Sequence, residues 1–250
     1  MRRILALSGK DRETFLQGLV TNDVRRAPVW AALLTPQGKY LADFLIVPDG
    51  ERLLIDVDEA LAGDLIRRLS MYKLRADVTL EPTDLGLARG TGPAPEGVIA
   101  DPRDPALGWR LYGAATGDDG SDWDAIRVAH TIPETLIELI PNETFILEAG
   151  FERLHGVDFR KGCYVGQEVT ARMKHKTELR KGLVTLGIDG QFAAVLWGHL
   201  LWVLPYVVLT LAASYEDWRE LSESLLEPLS PDDRAAILHG NAARFYGVAA

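Results

Sequence analysis

Residues 30 to 57 read WAALLTPQGKYLADFLIVPDGERLLIDV, with apolar runs from Trp30 to Leu34, Leu41 to Val47 and Leu53 to Val57 separated by PQGK and PDGE. Short aliphatic runs bounded by Pro, Gly and Asp at turn positions specify strands joined by tight connections. A β-meander is therefore the frame on which the rest of the chain has to be built. Before it, ILAL (4–7) reads as a strand, and a helix from about Asp11 places Phe15, Leu16 and Leu19 on one face until TNDV breaks it. After it, DEALAGDLIRRL carries Leu61, Leu65 and Leu69 at four-residue spacing behind Asp58 and Glu59, as an amphipathic helix does. ADVTLEP returns to strand.

The stretch from Gly86 to Gly120 is rich in Gly, Pro and Asp and predicts short strands at VIADP and GWRLYG joined by loops. SDWDAIRVAH predicts a helix with Ser121 as N-cap and Asp124 three residues on, ending before Pro133. LEAGFERLHGVDFRKGCYVGQE reads as mixed helix and loop. Strands interleaved with helices in this order give an α+β class.

The C-terminal part differs in character. FAAVLWGHLLWVLPYVVLTLAA (192–213) is uncharged and about long enough to span a bilayer. Gly198, His199 and Pro205 interrupt it, and its flanks are acidic rather than basic, so burial within protein is preferred to stable membrane association. EDWRELSESLL, LSPDDRAAILHG and NAARFYG predict helices, the second with Ser230 as N-cap, Pro231 at the first helical position and Gly240 at the stop.

Acidic residues outnumber basic ones by 36 to 27, a formal charge of -9 that disfavours whole-surface attraction to nucleic acid. One basic run, Arg172, Lys174, His175, Lys176, Arg180 and Lys181, suits local capture of an anion such as a polyglutamate tail or RNA phosphate. The glycines at 86, 90 and 92 make no GxGxxG or Walker loop. No CxxC or HxxxH spacing supports a metal site. A single cysteine forms no internal disulfide, and the N-terminus turns polar too early for a secretory signal, which leads to the expectation of a cytoplasmic protein.

That cysteine lies in KGCYVGQE (161–168). A lone Cys is most often a small buried hydrophobe. Here Arg160 and Lys161 are placed to favour a thiolate, and Gly162 and Gly166 permit close approach or positive φ around the sulfur, which predicts a partly exposed site. One thiol cannot by itself hold an iron–sulfur cluster, so any cluster would be shared or transient.

KGCYVGQE followed by VTARMKHKTELRKGLV closely resembles the signature of the YgfZ family, folate-binding iron–sulfur maintenance proteins related to the glycine cleavage T-protein. The likeness extends through FLQGLVTNDV, LLTPQGKYLADFLIV, LIRRLSMYKLRADV and DPRDPALGWRLYG, over about residues 4 to 188. It implies a folate-binding core of two intertwined subdomains over 1–188, with tetrahydrofolate or a derivative in a central pocket. Cys163 would be the characteristic thiol, acting as nucleophile or transient ligand with Lys161 beside it. Asn22, Gln37, Asp43 and Glu148 lie in matching motifs and would contact the ligand, with Tyr164, Gln167 and Glu168 shaping the loop. Client iron–sulfur enzymes or assembly factors would be the partners.

Two departures qualify the resemblance. T-proteins carry adjacent carboxylates where this chain has Asp43-Phe44, which argues against aminomethyl transfer; a folate-dependent one-carbon transferase is the alternative function, and a degenerate binding protein a third. Beyond residue 188 the family's small β-barrel is not recognisable, and WGHLLWVLPY with LSPDDRAAILHGNAARFYG resembles the C-terminal end of an amidohydrolase. Residues 189–250 are therefore expected to be a divergent apolar and helical segment in place of the barrel, with Trp197, Trp202 and Tyr206 covering the core or forming an oligomer interface.

Overall fold

The computed structural model describes residues 1–114, 116–176, 179, 182–188 and 191–197. The chain divides into two compact units, Met1–Leu196 and Trp197–Ala250, and the first carries the elements below.

The meander forms as its turn signals predict. Strands β2 (Val29–Leu34), β3 (Tyr40–Asp49) and β4 (Arg52–Asp58) are antiparallel neighbours, and β1 (Arg2–Ser8) and β5 (Thr79–Pro82) extend the sheet in the order β2-β3-β4-β1-β5. Side chains alternate between faces along each strand. Leu5, Leu7, Ala31 and Leu33 join one apolar cluster with Leu16, Leu65 and Leu69 of helices α1 (Arg12–Gln17) and α2 (Glu59–Lys73). Ile4, Trp30, Ala32 and Leu34 join a second cluster with Leu139, Phe151, Leu154 and Tyr164. Both faces are thus covered, which is why the strands read as continuous apolar runs rather than alternating ones. Asp58 caps α2 by accepting from the Ala60 amide at 2.9 Å.

A second sheet runs β7-β8-β6-β9, from Ile99–Ala100, Trp109–Gly113, Gly86–Gly90 and Gly117–Asp118. The strands expected at VIADP and GWRLYG are β7 and β8; β6, which pairs with β8 and β9, is an addition. Helix α3 (Trp123–Ala129) is capped by Asp122, not Ser121: the Asp122 carboxylate accepts from the Ala125 amide at 3.0 Å. The Ser121 hydroxyl is engaged elsewhere, donating to Asp119, whose carboxylate also accepts the Thr91 and Gly92 amides.

From Ile132 to Gly166 the chain is a succession of turns with no long helix, and α4 (Gln167–Lys176) follows. Strands β10 (Gly182–Ile188) and β11 (Gln191–Trp197) pair as a two-stranded sheet, so the boundary expected at 188/189 falls between them. Beyond its first residues, the apolar run 192–213 lies outside the described residues, as do the helices expected from 216 onward and the residues Trp202 and Tyr206. Among the described residues no helix is long and apolar enough to cross a membrane.

Candidate functional site

The KGCYVGQE loop is held from both ends. At its start the buried Lys161 ammonium donates to the Gln17 carbonyl at 2.5 Å, and the Gln17 side-chain amide donates back to the Lys161 carbonyl at 3.3 Å. The ammonium also sits 4.9 Å from the Tyr164 ring centroid. Burial lowers Lys161 to about 8, opposed by Asp23 and Asp158 nearby. Burial pushes the Tyr164 phenol up to about 12. At the other end the TPQGK turn packs against the loop: a Cβ at Gly166 would stand 2.6 Å from the Thr35 carbonyl oxygen, and one at Gly38 would stand 2.9 Å from the Val169 Cβ. Gly166 at φ +83° and Gly162 at φ +99° take conformations that favour glycine. Cys163, between them, is exposed.

This arrangement brings Gln37, in the exposed turn, alongside the cysteine loop, with Gln167 and Glu168 opening α4 just beyond it. Glu168 accepts from Arg172 at 2.9 Å, and Lys174 donates to Glu152 at 2.5 Å. The described part of the basic run is therefore largely a paired, solvated face, which is its commonest role.

Asn22 and Asp43 lie deeper. The Asn22 amide nitrogen donates to the carbonyls of Trp30 at 2.7 Å and His155 at 2.6 Å, and its oxygen accepts the Asp23 amide at 2.9 Å. It ties the meander to the segment leading into the cysteine loop. The Asp43 carboxylate, buried in β3, accepts from Trp30 Nε1 at 2.9 Å, Tyr40 Oη at 2.7 Å and Thr135 Oγ1 at 2.7 Å. Trp30 in turn stacks on Phe151 with centroids 3.9 Å apart. Gly156 admits that contact, since a Cβ there would lie 2.5 Å from the Phe151 ring. Glu148 stands half-buried in the turn before Phe151, its carbonyl accepting the Leu183 amide of β10 at 3.1 Å.

A cavity of about 380 Å³ opens between β6, α3 and the turns around residues 103 and 134. Its wall sets three arginines, Arg89, Arg103 and Arg127, against three carboxylates, Asp122, Asp124 and Glu134, with Trp123, Leu107 and Ile132 completing it. Behind it runs a buried chain of alternating charge. Arg2 donates to Asp56 at 2.6 Å, Arg110 bridges Asp56 at 2.8 Å and Asp101 at 2.7 Å, and Arg103 closes on Asp101 at 2.8 Å. Tyr112 adds a hydrogen bond to Asp56 at 2.8 Å. The flanking arginines hold both aspartates below the ordinary carboxylate range against the opposing effect of burial. Burial is the main cause raising Glu134 and also the main cause lowering Arg89. Sequence reasoning passed over Arg89, Arg103, Trp123 and Glu134; DPRDP and SDWD were visible as strings, but nothing in them marks a shared cavity.

Comparison with known proteins gives three results. The family model described as Amidohydrolase matches residues 186–248, in keeping with the resemblance of the C-terminal tail. Among curated proteins, the chain is 34% identical to the iron–sulfur cluster assembly factor IBA57 homolog, mitochondrial, of Mycosarcoma maydis, covering 74% of this chain and 55% of that protein. It is 31% identical to the mitochondrial IBA57 of Mus musculus, covering 77% of this chain and 66% of that protein. For the Homo sapiens protein the values are 30%, 73% and 63%. The chain thus spans between about half and two thirds of the length of these curated relatives. Among solved structures, glycine cleavage system aminomethyltransferase T from Bartonella henselae superposes with a TM-score of 0.60 at 11% identity, over 75% of this chain and 64% of that one. The α+β, T-protein-like architecture of the core is therefore shown. The expected cytoplasmic location is overturned: the curated relatives are mitochondrial by name. A lone cysteine argues against an oxidising compartment and does not separate one reducing compartment from another.

Proposed function

We propose that this chain, whose homologues are IBA57-type iron–sulfur cluster assembly factors and whose core has the aminomethyltransferase T fold, is an accessory protein of iron–sulfur cluster assembly that presents Cys163 to a cluster held jointly with a partner. The observation that carries the reading is the setting of Cys163: an exposed sole thiol on a loop clamped by the Lys161–Gln17 exchange and by the Gly38–Gly166 contact. Iron–sulfur clusters normally take about four thiolate ligands, so a fixed, exposed, single thiol suits completion of a partner's ligand set. Lys161 offsets thiolate charge from the base of the loop. Gln37, Gln167 and Glu168, at the loop's edge, are assigned to contacts with whatever docks there.

The cavity suits a tetrahydrofolate-type ligand. Its volume falls within the range of small-molecule sites, and its lining sets Leu107, Ile132 and Trp123 among charged groups that can read a polar edge. Arg89, Arg103, Trp123 and Glu134 would hold the ligand, with Tyr164 in the apolar cluster that includes Leu107 and Ile132 behind them. When bound, a reduced folate supplies one-carbon or redox chemistry; the residues here bind and orient it. Asn22 and Asp43 are positioning residues, because their polar atoms are taken by Trp30, Tyr40, Thr135 and the backbone. The same occupancy takes Asp43 out of an acid–base role in the one-carbon transferase alternative.

The test is anaerobic reconstitution with ferric iron, sulfide and glutathione as the external thiol, followed by visible absorption and circular dichroism, with tetrahydrofolate titrated by calorimetry in parallel. Wild type should acquire a cluster spectrum that Cys163→Ser lacks, and both should bind tetrahydrofolate equally. Equal cluster loading of the two proteins would remove Cys163 from the reading.

A further inference from the structure

Helix α2 runs out into MYKLR (71–75), and all five residues are exposed. Met71 is 65%, Tyr72 40% and Leu74 89% accessible to solvent. The helix ends in a tight turn in which the Ala76 amide donates to the Lys73 carbonyl at 2.8 Å, with Leu74 as its second residue at φ +44° and ψ −106°. Those angles are close to a type II′ turn, where the second residue is normally Gly, Asn or Asp. A β-carbon there is strained, and a leucine side chain left in water returns nothing to the fold. Glycine would relieve both costs, so the described structure gives the Leu74 side chain no internal use.

The charge around this tip is one-sided. From residue 65 to 76 the sequence has four cations, Arg67, Arg68, Lys73 and Arg75, and no acid. Asp64 is shared by Arg67 and Arg68. On the other side Asp77 pairs with Lys10 at 3.7 Å, and the Asp11 carboxylate accepts the Asp77 amide at 2.8 Å. Lys73 and Arg75 make no ion pair and no side-chain hydrogen bond among the described residues. In a chain of formal charge -9 the tip is a local exception.

We propose that the tip at 71–75 is a reversible contact for an anionic phospholipid surface. Leu74 and Met71 enter the acyl boundary, Tyr72 lies at headgroup level, and Lys73 and Arg75 meet the lipid phosphates. A convex apolar point flanked by free cations fits a deformable anionic layer without a preformed pocket. A second copy of the chain docked tip to tip would set the same cations against each other. The acidic remainder of the protein is repelled by such a surface, which confines contact to the tip and keeps it reversible. The inference is independent of the cluster and ligand readings.

Sedimentation of the whole chain with vesicles tests it, comparing phosphatidylcholine alone with equal parts of phosphatidylcholine and phosphatidylglycerol. Wild type should sediment with the mixed vesicles only and be released by added salt. Leu74→Gly should weaken this binding about tenfold, whereas Leu74→Phe should keep it. Lys73→Gln and Arg75→Gln should each weaken it about fivefold. Leu74→Gly should also raise the urea midpoint, which separates a lost contact from a lost fold. A lowered midpoint would show that the side chain serves the fold and would overturn the proposal. Binding unchanged in Leu74→Gly overturns it by assigning the attraction to another part of the chain, such as the apolar run 192–213. Equal binding to phosphatidylcholine alone overturns the anionic selectivity on which it stands. Failure of the folded protein to bind either vesicle overturns it and leaves an acidic protein pocket as the occupant of the tip.

Discussion

Lys161 and Gln17, 144 residues apart in sequence, exchange hydrogen bonds through each other's backbone: the ammonium reaches the Gln17 carbonyl, and the Gln17 amide reaches the Lys161 carbonyl. The last turn of α1 is thereby fastened to the first residue of the cysteine loop. A cation is held inside the protein to do this, and that has a measurable consequence.

Burial lowers Lys161 from 10.5 to about 8. Between those values the unfolded chain keeps a proton that the folded chain has released, so this group makes stability rise with pH across that window. Lys161→Met removes the term. Urea midpoints of wild type and variant, compared at about pH 8 and about pH 10, should show the wild type gaining relative to the variant at the higher pH; parallel changes would refute the assignment.

The two loop glycines should respond unequally to alanine. Gly162 has positive φ and nothing within 4 Å of an added Cβ, so its substitution should cost only the backbone strain, about 1–2 kcal/mol. Gly166 adds a collision with the Thr35 carbonyl oxygen, and Gly166→Ala should cost about 3 kcal/mol or more by denaturant unfolding. Equal costs would mean that the TPQGK turn yields easily.

Arg110→Met should destabilise by about 3–5 kcal/mol, because it leaves Asp56 and Asp101 buried beside one cation each instead of two. Arg25→Ala, which removes an exposed guanidinium from Asp23, should shift the denaturation midpoint far less. In wild type the two depressed aspartates contribute fully above their ordinary value of 3.8, and the contribution is lost as pH falls below it. Acid unfolding monitored by circular dichroism should therefore begin at a higher pH in Arg110→Met.

Cys163→Ser, at an exposed position, should shift stability by less than about 0.5 kcal/mol. A thermal shift much larger than that would show the sulfur to be a packing element instead of a presented ligand.

The meander was legible because its strands are uninterrupted apolar runs and its turns carry PQGK and PDGE, signals that act locally. Strand β6 was not, because Gly86–Gly90 reads GLARG, flanked by glycines and carrying a charge, and it becomes a strand only through pairing with β8. Ser121 and Asp122 are equal as N-caps by type, and the Asp119 carboxylate claims the Ser121 hydroxyl and leaves the cap to Asp122. Asn22 and Asp43 were visible as motif residues, but whether such groups face a ligand or brace the protein depends on where their hydrogen bonds go. Arg89, Trp123 and Glu134 come from a strand, a helix start and a turn; no local pattern announces that they share a wall.

The ion chain from Arg2 to Arg103 also constrains the order of events during synthesis. Asp56 sits in a strand completed early, beside Arg2, but its second cation is Arg110, and Asp101 needs the same residue. A nascent chain that has emerged only as far as β5 holds a central aspartate beside one cation instead of two. The two sheets are therefore expected to mature on the ribosome as one cooperative event, timed by a single arginine.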